Sequence, residues 1–136
     1  MMQLTISNGS WQILMPEPCL VDNDVVLKVA AYGLYGAAIG CLTHESELPA
    51  MLGVGRFVVR RKAAKANRFR RPDRIATELE ALLGSLQVIE PTDDEIELAA
   101  DLETAARKLD GALDVGEAQL LAVLLTRGSP ALVTCD

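Results

Sequence analysis

A short continuous apolar run, CLVD at 19–22, and two further short strand patterns, LQVIE at 86–90 and ALVTC at 131–135, alternate with longer helical patterns in this chain. Such a run suits a strand buried on both faces, the situation of a parallel sheet covered by helices. Parallel strands cannot be joined by hairpins, so helices must carry the chain back across the sheet each time. The expectation is an α/β fold in three layers, a parallel sheet with helices on both faces. With 136 residues, half of them apolar, the chain is long enough for a single domain over 1–136 with a real core.

The helical segments carry their own signals. PTDDEIELAADLETAARKLD places Glu95 three residues after Thr92, a capping box, and sets Ile96, Ala99, Leu102, Ala106 and Leu109 on one face. DVGEAQLLAVLLTRG repeats the box with Asp114 and Glu117, and Gly128 closes the helix. A further helix is expected from an Asp73 cap through Ile75, Leu79, Leu82 and Leu86, and another from near Pro49 through RFVVRRKAAKA. VVLKVAAYGLYGAAIGCL, 25–42, is interrupted only by Lys28 and reads as one buried core helix. A membrane span needs about 20 consecutive apolar residues, so no membrane association is expected. QLTIS and WQILM, within residues 1–15, flank Asn8-Gly9 as either a hairpin or a loosely attached arm. Cys19, Cys41 and Cys135 are an odd number within apolar runs, which implies reduced, buried thiols and a cytoplasmic setting.

In a parallel sheet all strand C-termini share one edge, and ligands bind outside it. Asp22 ends the first run and Asp136 follows the last. The helix holding Glu117 precedes the last strand, runs antiparallel to it, and presents its first turn at the same edge. Two carboxylates about 4 Å apart repel by roughly 4 kcal/mol at an effective dielectric near 20, so such a group needs a proton, a base or a metal ion. A hard divalent cation, Mg²⁺ or Mn²⁺, is the natural counter-charge. Each acid also has a structural reading: Asp114 and Glu117 as a capping box, Asp22 and Asp24 as caps of the following helix, and Asp136 as a terminal residue.

The net charge is −6, yet residues 56–74 hold nine of the thirteen Lys and Arg against Asp73 alone. Arg56, Arg60, Arg61, Lys62, Lys65, Arg68, Arg70 and Arg71 are candidate contacts to RNA phosphates, with a solvated helix face as the alternative. Phe57 and Phe69 are candidates for stacking on bases, although Phe57 is rather expected to pack in the core. Other chemistries are excluded on composition. Cys41-x-x-His44 lacks a second ligand pair for zinc, no Gly-rich phosphate loop carries a Lys, and the only histidine, His44, is far from any nucleophile elbow.

LVDNDVVLKVA (20–30), DVGEAQLLAVLLTRG (114–128) and ALVTCD (131–136) together resemble the PIN domain family. In that family a strand ends in Asp followed by Thr or Ser and then Asn. A later helix begins with an acid, and a further strand ends in Thr-x-Asp. Asp22-Asn23-Asp24, Gly116-Glu117-Ala118 and Thr134-Cys135-Asp136 stand in that order here. The resemblance implies a metal-dependent endoribonuclease of the kind found as the toxin of a toxin–antitoxin pair, with RNA as substrate and a cognate antitoxin as partner. Asp22, Glu117 and Asp136 would be catalytic and hold Mg²⁺ or Mn²⁺, with Asp24 as an extra ligand and Asn23 and Thr134 in support. The family's further acid falls in a region that reads GRFVVRRKAAK, without an acid, and Asp24 stands where Asn is usual. The companion reading is therefore a catalytically degenerate PIN-like module that binds RNA or a protein through 56–74. An unrelated receiver-like domain would need a Lys near a strand end, and none follows a strand here. Related domains continue past Thr-x-Asp, so the C-terminal end of the fold is expected to be missing, favouring a homodimer.

Overall fold

The computed structural model describes residues 3–7, 9–14, 16–65 and 69–135, so the expectations for Asn8, Arg68 and Asp136 lie outside the described residues. β1 (Gln3–Ser7) and β2 (Ser10–Leu14) form an antiparallel hairpin with Ser7 opposite Ser10. Gly9 takes φ 79°, the left-handed conformation that a two-residue hairpin turn demands. The hairpin reading of this segment thus holds over the arm.

The main sheet has four parallel strands in the order β5-β4-β3-β6: β3 (Leu20–Val21), β4 (Ala50–Leu52), β5 (Gln87–Ile89) and β6 (Leu132–Val133). Side chains alternate across it as the pleat requires. Val21 and Met51 join Val26, Val59, Leu79 and Leu83 on one face. Leu20, Ala50 and Leu52 join Leu120 and Val123 on the other. The first face is covered by α1 (Asn23–Tyr32), α2 (Tyr35–Leu42), α3 (Gly53–Ala63) and α4 (Pro72–Ser85). The second is covered by α6 (Val115–Arg127), against which α5 (Asp93–Lys108) packs through Ala99, Ala118 and Ala122.

Several elements depart from expectation. The apolar run 25–42 is two helices, because Gly33 adopts φ 66° and closes α1 in a Schellman turn, with Gly33 N–H donating to Ala30 O and Leu34 N–H to Val29 O. No residue of α2 is buried, so its half is not a core helix. Among the described residues no helix is long and apolar enough to cross a membrane. The segment after Pro49 opens with β4, not a helix: Ala50, Met51 and Leu52 are buried on both faces and pair with β3 and β5. α4 is capped at Arg71 with Pro72 in its first turn, so Asp73 sits inside the helix and not before it. Both capping boxes form, but the inner face of α5 is rotated: Glu95 and Ala99 are buried, while Ile96 and Leu109 are exposed. Phe57 is 72% exposed and no core residue, because α3 meets its neighbours through Gly53, Gly55 and Val59. The cysteines are free thiols, but Cys41 is exposed and Cys19 and Cys135 are only half-buried.

The candidate acidic edge

From β3 the chain steps outward to β4 and then β5, and afterwards returns to lay β6 on the other side of β3. The strand order therefore reverses between β3 and β6, and in open α/β sheets the crevice at the carboxyl ends of such a pair is where ligands bind. Asp22 follows β3 directly. Its residue is only 9% exposed, and its Oδ1 accepts the Asn23 N–H at 2.7 Å, capping α1. Glu117 lies in the first turn of α6, where its N–H donates to Asp114 Oδ1 at 2.8 Å and its carboxylate accepts the Asp114 N–H at 3.2 Å. Thr134 is exposed just past β6.

The acids act on one another. Burial pushes the Asp22 carboxyl above its ordinary range; the Asn23 N–H pulls it down, and the charges of Asp24, Asp114 and Glu117 push it up again. The folded chain thus holds this proton more tightly than the unfolded one. That contribution favours folding in acid and is lost as pH rises through the folded value. Asp22→Asn keeps a capping oxygen and removes the repulsion. It is expected to unfold at higher urea than the wild type at neutral pH without metal, the two converging in acid; a less stable variant would mean that the carboxylate serves the cap.

Asp24, in the first turn of α1, accepts a hydrogen bond from Lys62 Nζ of α3 at 2.9 Å. Both side chains are partly exposed, and the pair contributes little to stability; its interest is its place. Lys62 brings positive charge to the edge from the region where the resemblance expects an acid. Arg60, by contrast, is turned away to a bidentate pair with Glu80 at 2.8 and 3.0 Å. Arg56 is half-buried, with Nη2 near Leu83 O and a buried Nε that has no partner among the described residues. Arg61, Lys65, Arg70 and Arg71 are exposed. Glu45 and Glu47 sit in the loop before β4, at the opposite end of the strands, where Glu47 accepts from Gln87.

The donor set, hard carboxylate oxygens around a buried acid whose neighbours repel it, suits a hard divalent ion. Yet no three His, Cys, Asp or Glu among the described residues are already gathered as a metal-holding group. Glu117 is engaged in its capping box and Asp24 with Lys62, and Asp136 lies outside the described residues. The sequence places Asp22, Asp114 and Glu117 together because caps sit at strand ends and helix starts. It does not reveal the Lys62 contact, nor the buried pair of Glu95 with Arg127, both of which join distant segments.

No protein-family model, curated protein or solved structure matches this chain.

Proposed function

We propose that this protein is a PIN-like, divalent-metal-dependent endoribonuclease, of the kind that serves as the toxin of a toxin–antitoxin pair. One observation carries the reading: a buried aspartate at the point where strand order reverses, with three further acids acting on it. Asp22 and Glu117 would hold Mg²⁺ or Mn²⁺, with Asp24 and Asp136 as further carboxylates. The ion, when bound, supplies a water of lowered pKa and a counter-charge for the phosphate. The chain's own residues do the rest: the Asn23 N–H holds the Asp22 carboxylate against α1, and Thr134 stands exposed at the same edge. The first turns of α1 and α6 add the partial positive charge of helix N-termini, which favours an anionic substrate.

The contact of Lys62 with Asp24 favours a second reading, a degenerate module in which a tethered ammonium stands in for the metal. Calorimetric titration of Mn²⁺ at neutral pH separates the two. The enzymatic reading expects binding that weakens roughly tenfold or more in Asp22→Asn and strengthens in Lys62→Met. Heat of binding absent from both the wild type and Lys62→Met would leave only the degenerate module.

A further inference from the structure

Beside the acidic edge runs a groove of about 500 Å³ that starts at Asp24, follows α1 past Lys28 to Tyr32, and is closed by Phe69 and Arg70. It continues into a second hollow of about 230 Å³, which shares Tyr32, Phe69 and Arg70 and adds Arg71 and Arg74. We propose that this groove seats a single strand of RNA, with bases stacked on Tyr32 and Phe69 and phosphates met by Arg70, Arg71 and Arg74. The choice of RNA rests on the reading of the acidic edge; the groove itself does not.

Three observations converge on it. Tyr32 ends α1 and is 74% exposed, although nearby Tyr35 has found a partner in the Ser85 hydroxyl. An uncovered ring that lines a concavity together with a second aromatic is a platform on which unpaired bases stack, whatever their sequence. The charge is local: on a chain of net −6, the walls of both hollows carry four bases and one acid, Asp24, which Lys62 already contacts. Finally, the wall is held in place. The Arg74 guanidinium lies over Gly33, with Nη2 only 3.2 Å from where a Cβ would stand, at the C-terminus of α1 whose last turn has no base of its own. An acidic peptide would use the arginines and leave both rings idle. The two hollows share a wall, and Asp24 at one end acts on Asp22, so a strand lying here would pass the carboxylates.

Fluorescence anisotropy with a short labelled single-stranded RNA, in excess chelator so that neither metal nor cleavage contributes, tests this on the full chain. Tyr32→Ala is expected to weaken binding roughly tenfold, and Tyr32→Trp to restore it. Arg70→Gln with Arg71→Gln should flatten the dependence of log affinity on log salt by about 0.7 for each phosphate no longer neutralised. Because Tyr32 is exposed, its replacement leaves the core intact. Affinity indifferent to Tyr32, or polyglutamate displacing the RNA as well as unlabelled RNA does, overturns the groove. If Mn²⁺ binds through Asp22 while RNA ignores Tyr32, the groove alone falls. If RNA binds through Tyr32 while Mn²⁺ fails to bind, the groove stands and the hydrolytic reading falls.

Discussion

Arg127→Met is expected to lower the free energy of unfolding by about 3 kcal/mol, read from urea denaturation at neutral pH. Glu95 is 1% exposed, and Arg127 grips both its oxygens, Nε to Oε1 at 2.8 Å and Nη2 to Oε2 at 2.9 Å, while Nη2 also donates to Glu90 O at 2.9 Å. The same carboxylate accepts the Thr92 N–H at 2.8 Å and so starts α5. Removing the guanidinium leaves a charge buried without its partner, which costs far more than the intact pair contributes. Arg127 keeps some exposure, which sets the loss at the low end of the range for buried pairs. The Glu95 carboxyl is held below its ordinary range, chiefly by the Arg127 hydrogen bonds. Its stabilisation is therefore complete above the unfolded value and is lost as pH falls through the folded one. In Arg127→Met that acid-side loss should disappear. Glu95→Gln with Arg127→Met should recover much of the stability, since no charge is then stranded; additive losses would show that the pair is not the cause.

Gly55→Val should cost about 3 kcal/mol as well, for a steric reason. A Cβ at Gly55 would stand 2.2 Å from Asn23 Oδ1 and 3.0 Å from Met51 Cε, so α3 approaches the start of α1 at a distance only glycine permits. Asn23 is the residue whose N–H caps onto Asp22. The intrusion would therefore disturb the acidic edge along with the core; if that edge holds a divalent ion as proposed, Mn²⁺ affinity should fall in parallel with stability. Gly55→Ala should be milder, and Asn23→Ala should relieve it, because the nearest obstacle is that side chain. Relief absent from the double variant would place the obstacle at Met51.

What was legible in the sequence follows from the range of the forces involved. β3, β5 and β6 stood out because each is a short strand-like stretch set between helical patterns, and both capping boxes because they close within three residues. β4 was lost in the helix beyond it: Ala50, Met51 and Leu52 run into Gly53 without a polar break, and periodicity cannot divide an apolar strand from an apolar helix start. The reverse error fused α1 and α2, where the Gly33 turn is spanned by apolar residues on both sides. Phe57 misled for a related reason, since α3 packs largely through Gly53 and Gly55, and Val59 is the one bulky residue among its buried positions. Of the acidic edge, Asp22, Asp114 and Glu117 were readable as strand ends and caps. Lys62 with Asp24 and Arg127 with Glu95 were not, because tertiary packing alone brings them together.

The pairing of Leu20 with Leu132 has a consequence for how the molecule assembles. β3, β4 and β5 with helices α1 to α4 can collapse around Val26, Leu79 and Leu83 before the later chain is engaged. α5 and α6 pack on each other as neighbouring segments, and β6, which follows them, lies alongside β3. Contacts this remote in sequence close slowly and open as units. Asp22 belongs to the first piece, Glu117 and Thr134 to the second. The acidic edge therefore exists in full only where β6 and α6 are docked on β3, and a species that has released them keeps Asp22 and Asp24 but has parted them from Glu117.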